Sequence, residues 1–274
     1  MEIIILKPKR EFKVPIFAEC ITPDILAGKT LSKIEKLPVI EGGKETNLCE
    51  LFQIEGETGS SPNDTKIKLV GDFSKVRCIG SEMTGGEIIV EGNAGLRLGE
   101  KMRGGRITVH GNAGSWLGTM MVNGEIEVFG DAGHYIGSSY RGAREGMRNG
   151  TIKVHGSAGS EIGNFMRGGT IIIDGCVDIF AGIHMQGGEI LIRGDSAGRI
   201  GAFMRGGKIV LCGYTPSVLP SFTIEELRPK VKIAGERIEE AFYLFIGDHA
   251  DEGNGKLFIS KDRNPHLKHY ERFL

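Results

Sequence analysis

Between residues 83 and 213, apolar and polar positions alternate in short runs that return at a fixed interval. The runs Glu87-Ile88-Ile89-Val90-Glu91, Arg106-Ile107-Thr108-Val109-His110 and Glu125-Ile126-Glu127-Val128-Phe129 each set apolar residues two apart. Successive strand side chains point to opposite faces, so Ile88 and Val90 share one face, as do their counterparts in every run. β-Branched side chains fit a pleated strand and crowd a helix, which settles the element type. The predicted inward rows are Ile88, Ile107, Ile126, Ile152, Ile171, Ile190, Ile209 and Val90, Val109, Val128, Val154, Ile173, Ile192, Leu211. Each run sits in a longer motif, Met-x-x-Gly-x-Ile-x-Val-x-Gly, which begins at Met83, Met102, Met121, Met147, Met166, Met185 and Met204. The steps are 19, 19, 26, 19, 19 and 19 residues. A period near twenty residues marks a stacked-repeat architecture.

Glycine supplies the corners. The chain has 43 glycines in 274 residues, and they hold fixed places in the repeat. One row (Gly86 and its equivalents) precedes each strand, a second (Gly92) closes it, and a third (Gly80) marks another bend. Sharp turns need backbone that glycine adopts without penalty. Three corners per repeat leave room for two or three strands of about four or five residues. Strands that meet their own copy in the next winding run parallel at ~4.8 Å, so seven coils build a prism of about 34 Å. The predicted fold is all-β: a right-handed parallel β-helix of seven coils. Right-handedness is favoured because no six-residue period is visible and 19 does not divide by six.

The flanks lack the repeat. Residues 1–64 read as a mixed α/β N-terminal cap, with a strand at 2–6, a helix entered at Thr22-Pro23, and a loop at 59–64 before a degenerate first coil at 67–71. Residues 65–213 form the repeat domain. Residues 214–274 form a capping and partner-contact tail, with a helix at 224–227, strands at 231–234, 242–246 and 257–259, and a polar end at 264–274. Bare strand edges at both ends of a solenoid need such covers.

Composition narrows the function. A net charge of −1 with 25% charged residues offers no general basic field for nucleic acid or anionic lipid. No apolar run approaches the ~18 residues of a membrane span, and the start resembles no signal peptide. Five cysteines without a Cys-x-x-Cys pair predict buried thiols in a reducing compartment, hence a cytoplasmic protein.

Candidate chemistry is sparse. The string 92–99 has the glycine density of a dinucleotide loop, but it recurs in other coils and opens no helix, so it reads as a turn. The methionine row reads as a flexible internal packing ladder. His110 and His155 share a repeat position two coils apart, about 9.6 Å, too far to share a metal ion. No catalytic, cofactor-binding or metal-binding residue is expected in this chain. The informative features face outward. Arg103, Arg148, Arg167 and Arg205 follow their methionines and form a basic row suited to carboxylates. Trp116 and Tyr135 occupy one repeat position in adjacent coils and are expected to stack. The long step holds an insertion at 138–146 carrying Tyr140, Arg141 and Arg144, and solenoid insertions gather on binding faces.

The repeats resemble the Gly-x-Gly-x-Gly β-helix domain family. Its members include the C-terminal domain of the glutamate synthase large subunit and the C subunit of formylmethanofuran dehydrogenase. The second resemblance covers nearly the whole chain, through "ITPDILAGKT" (21–30), the seven motif copies, "SSYRGAREGM" (138–147) and "SFTIEEL" (221–227). The copies are imperfect: Met147 lacks the glycine three residues before it, and "GCVDIFAG" (175–182) lacks the Ala-Gly pair. This resemblance implies a non-catalytic scaffold subunit of an archaeal complex that reduces carbon dioxide with methanofuran to formylmethanofuran in methanogenesis. It implies tungsten or molybdenum pterin, iron–sulfur clusters and zinc on other subunits. The implied partners are the amidohydrolase-like, pterin-metal and small subunits of formylmethanofuran dehydrogenase. Three other readings remain: the C subunit of a bacterial-type formyltransferase/hydrolase complex, a stand-alone binder of a polyglutamate-like anion, or a glutamate-synthase-like spacer.

Overall fold

The computed structural model describes residues Met1–Leu274. The fold is all-β, organised on one thirteen-stranded sheet. Its strands are β1 (Glu2–Pro8), β2 (Phe52–Gly56), β3 (Thr65–Val70), β4 (Glu87–Glu91), β5 (Arg106–Val109), β6 (Glu125–Val128) and β7 (Thr151–Val154). The series continues with β8 (Thr170–Ile173), β9 (Glu189–Ile192), β10 (Lys208–Leu211), β11 (Thr223–Arg228), β12 (Phe242–Gly247) and β13 (Gly255–Ser260). The spatial order is β11-β12-β13-β10-β9-β8-β7-β6-β5-β4-β3-β1-β2.

From β3 to β10 each strand lies parallel to the next and in register, Ile88 beside Ile107, Ile107 beside Ile126, Ile126 beside Ile152. Both predicted inward rows are buried along their whole length. The repeat methionines are buried too, and the glycines are shaped to them: a Cβ on Gly105 would stand 2.7 Å from the Met83 methyl. Bonding between repeats continues outside the strands. The Arg97 amide donates to the Ser115 carbonyl (3.0 Å), the Gly99 amide to Ile79 (2.9 Å), and the Arg103 amide to Met83 (2.8 Å). Buried backbone groups therefore find partners at the corners as well as in the ladder.

Each repeat holds fewer strands than its corners leave room for. One four- or five-residue strand is joined by a single-residue bridge at Phe73, Ala94, Ala113, Ala132, Ala158, Val177 and Ser196. The remainder is turn because non-glycine residues there take left-handed backbone, such as Trp116 (φ 67°), Tyr135 (φ 64°) and His184 (φ 55°). A polar ladder runs beside the bridge. The Asn93 side chain accepts the Asn112 amide (3.0 Å), Asn112 accepts Asp131 (2.8 Å), and Asp131 accepts Ser157 (2.7 Å). It continues through Ser157 to Cys176, and the Cys176 sulfur accepts the Asp195 amide at 3.4 Å. Cys176 is therefore exposed, and only Cys20 and Cys78 of the five free thiols are buried, which corrects the expectation of buried thiols.

The flanks extend and close this ladder. β1 lies parallel to β3, Ile4 beside Ile67 and Leu6 beside Leu69, so the N-terminal segment adds a rung of its own. β2 then ends the sheet antiparallel, over Phe12, Phe52 and Phe73 with centroids 5.4 and 5.6 Å apart. The Thr22 side chain caps a one-turn helix, Pro23–Leu26, as its sequence predicts. In the tail β13 joins β10 in parallel, and β12 and β11 follow antiparallel. The helix expected at 224–227 is instead strand β11: its short run of helix formers cannot nucleate alone, and pairing with β12 overrides propensity. The hairpin Val231–Ile233 and Glu236–Ile238 folds over the outer face of β9 and β10. There Leu191 and Val210 join Val231, Ile233, Phe242, Leu244 and Phe258 in a second apolar cluster. No helix is long and apolar enough to cross a membrane.

Candidate functional site

Because the repeat methionines point inward, the residues on either side of them line one outer face. The row before the methionines reads Glu82, Lys101, Met120, Gly146, Phe165, His184 and Phe203; the row after holds the four predicted arginines. All four are exposed, and each is ion-paired within the chain. Arg103 meets Glu82 at 3.5 Å and Arg205 meets Asp251 at 2.7 Å. Glu145, from the insertion, bridges Arg148 and Arg167, the latter at 2.9 Å. Those two guanidiniums hold the Glu145 carboxyl below the usual carboxylate range, and Arg205 does the same for Asp251.

The insertion folds back onto the ladder. Ser138 and Ser139 are buried, and their hydroxyls donate to the carbonyls of Tyr135 (2.7 Å) and Ala143 (3.1 Å). The Gly146 amide donates to the Phe165 carbonyl at 2.9 Å. Trp116 and Tyr135 stack at 4.2 Å, and Tyr140 packs against Trp116 at 5.0 Å, with the Arg97 guanidinium 5.2 Å from its ring. The Tyr140 hydroxyl is buried beside the Glu100 carboxylate without reaching hydrogen-bond geometry with it. Burial, with the nearby Glu100 carboxylate, pushes its pKa well above the ordinary phenol value. Arg141 and Arg144 are exposed at the tip of the insertion without ion-pair partners.

The predicted residues thus gather in two places. Trp116, Tyr135 and Tyr140 form one aromatic stack, while Arg144 lies on the methionine face with Arg148 and Arg167; Arg103 and Arg205 stand at its two ends. Sequence reading misses a second stack on this face: Phe165 and His184 at 4.5 Å, His184 and Phe203 at 4.9 Å, all nearly parallel. The signal is present in the sequence, since each stands one residue before a repeat methionine. The three rings line a cleft of about 390 Å³ with Arg144, Gln186, Arg205 and Asp251. Burial lowers the His184 pKa. A neighbouring cleft of about 330 Å³ is lined by Lys101, Arg103, Met120, Val122, Glu145 and Arg148. On another face His110, Phe129 and His155 stack at 5.3 and 4.7 Å, with His155 between Glu127 (2.9 Å) and Asp174 (3.1 Å). No group of three or more His, Cys, Asp or Glu side chains comes together in a way that could hold a metal ion.

No family model matches the chain. Among known proteins, it is 54% identical over 269 residues to the C subunit of the tungsten-containing formylmethanofuran dehydrogenase 2 of Methanothermobacter thermautotrophicus, covering 98% of this chain and 100% of that one. It is 40% identical over 95 residues to the C subunit of the molybdenum-containing formylmethanofuran dehydrogenase 1 of Methanosarcina barkeri, covering 35% and 32% of the two chains. Among solved structures it resembles a chain of the formyltransferase/hydrolase complex of Methylorubrum extorquens determined with methylofuran. The TM-score is 0.81 at 26% identity, over 93% of this chain and 99% of that one.

Proposed function

The chain belongs to the family of formylmethanofuran dehydrogenase C subunits, and on that premise we propose that it is the non-catalytic scaffold of such a complex, which reduces carbon dioxide with methanofuran to formylmethanofuran. The observation that carries this reading is the ladder itself. Apolar side chains fill the interior, and consecutive repeats are hydrogen-bonded at strand, bridge and corner, which makes a stiff body. The 19-residue interval, in-register parallel pairing and bonded corners support a right-handed parallel β-helix, the hand that parallel crossovers prefer. In this reading residues 1–64 cap one end, 65–213 form the rod, and 214–274 cap the other end and contact partners. Tungsten or molybdenum pterin, iron–sulfur clusters and zinc reside on the amidohydrolase-like, pterin-binding and small subunits, in a cytoplasmic assembly.

The same reading assigns Tyr140, Arg141, Arg144, Arg103, Arg148, Arg167, Arg205, Trp116 and Tyr135 to partner contact. The insertion is held against the rod by its own stack and hydrogen bonds, so a partner meets an already ordered surface, which limits the entropy lost on docking. Affinity isolation of the tagged chain from its native source, with mass spectrometry and metal analysis, tests the proposal. The expected result is recovery of partner subunits together with tungsten or molybdenum. Elution of the chain alone overturns it. Partners without redox metal instead favour the hydrolytic reading, which the likeness to the formyltransferase/hydrolase chain supports.

A further inference from the structure

The aromatic cleft on the methionine face has a chemistry of its own. Phe165, His184 and Phe203 stack face to face, so the middle ring is covered on both sides and offers the cleft its edge. A phenyl edge is electropositive, so the Phe165 and Phe203 edges favour a carboxylate oxygen. Arg144 adds a guanidinium with no partner in the chain, and Gln186 adds an amide. Lys101, Arg103, Arg148, Arg167 and Arg205 are paired with Glu82, Glu145 and Asp251, and Glu161 and Glu252 stand close to His184 and Arg205. Arg144 is the one cation of the face left without a carboxylate partner, on a chain whose net charge is −1. The two clefts flank the insertion on consecutive repeats, which suits an extended chain better than a single compact anion.

We infer that this trough docks an extended acidic segment of a neighbouring subunit, with a carboxylate seated between Arg144, Arg205 and the edges of the Phe165–His184–Phe203 stack. The scaffold reading enters only in saying where the segment comes from; the recognition chemistry stands without it. Arg144 forks the carboxylate, Gln186 donates beside it, and Asp251 keeps Arg205 in place while excluding a second acidic group.

The test titrates the full chain with a short fluorescein-labelled peptide alternating Asp and Ser, followed by fluorescence anisotropy, with the Asn-for-Asp peptide as control. The Asp peptide is expected to bind and the Asn peptide to bind at least about tenfold more weakly, as loss of a charge-assisted contact implies. Arg144→Gln, at an exposed and unpaired side chain, is expected to weaken the Asp peptide by about the same factor. Phe203→Leu, which keeps bulk and removes the ring edge, weakens it as well. Lys75→Gln, an exposed cation away from the trough, leaves binding unchanged. Equal binding of the two peptides, no response to Arg144→Gln, or equal competition by oligothymidylate overturns the inference. A chain that copurifies with partners yet ignores the acidic peptide refutes this inference and spares the scaffold reading; one that binds the peptide and copurifies with nothing does the reverse.

Discussion

Replacing Tyr140 by phenylalanine removes one oxygen and leaves the ring against Trp116 and Arg97. That oxygen is buried and has no hydrogen-bond partner. Taking a hydroxyl out of water without a compensating bond costs about 1–3 kcal/mol by mutational series. The ring contributes separately, since an aromatic pair of this kind is worth about 0.5–1.5 kcal/mol beyond its buried area. Tyr140→Phe therefore keeps the favourable contribution, discards the unfavourable one and stabilises the protein by about 1 kcal/mol or more. For a chain of this size that is a rise in Tm of about 2–4 °C. Tyr140→Ala loses the stack and lowers Tm. Scanning calorimetry at neutral pH on the two variants reads the sign directly. A fall in Tm for Tyr140→Phe, reproduced by Glu100→Gln, would mean that the hydroxyl donates to Glu100, and the reasoning would fail.

Three further outcomes follow from the same geometry. Gly118→Ala sets a Cβ 2.5 Å from the Ile152 δ-methyl at φ +59°, so it destabilises by about 1–3 kcal/mol; Ile152→Val removes that methyl, and denaturant unfolding of the double variant must show less than the sum of the single losses. The Glu145 carboxyl is depressed by Arg148 and Arg167, so its stabilisation is complete above the ordinary carboxylate pKa and is lost as pH falls through the lower folded value. Melts of wild type and Glu145→Gln should therefore differ at pH 7 and converge in acid, and a difference that widens on acidification refutes the clamp. Exposed Cys176 should take iodoacetamide in the folded protein well before Cys20 and Cys78, whose thiols burial pushes to about 12 and about 11; peptide mass mapping that finds Cys78 labelled equally fast contradicts this.

The ladder is legible in the sequence because repetition turns a tertiary question into a local one. The neighbour of Ile107 is Ile126, nineteen residues on, and any outward residue meets its own repeat equivalent by the same rule. The stacking of Trp116 on Tyr135 follows from it, and Phe165, His184 and Phe203 are open to it. Two kinds of feature escape the rule. The number of strands per repeat does so because Trp116, Tyr135 and His184 take left-handed backbone without being glycine. Nothing in their side chains announces that geometry; what holds it is the hydrogen bonding of each corner to the next repeat. The other kind is contact between parts of the chain with no shared interval. Glu145 leaves the period with the insertion, and Asp251 belongs to the tail, yet each pairs with a repeat arginine. Strand β11 reads as a helix from its residues for the same reason, since its partner β12 lies outside the repeat. The candidate face is therefore half periodic and half not. The repeats supply evenly spaced cations and rings, and the two aperiodic segments decide which cations are already paired. Arg144 remains free among them, and that is why the inferred recognition turns on a residue of the insertion rather than on the arginine row.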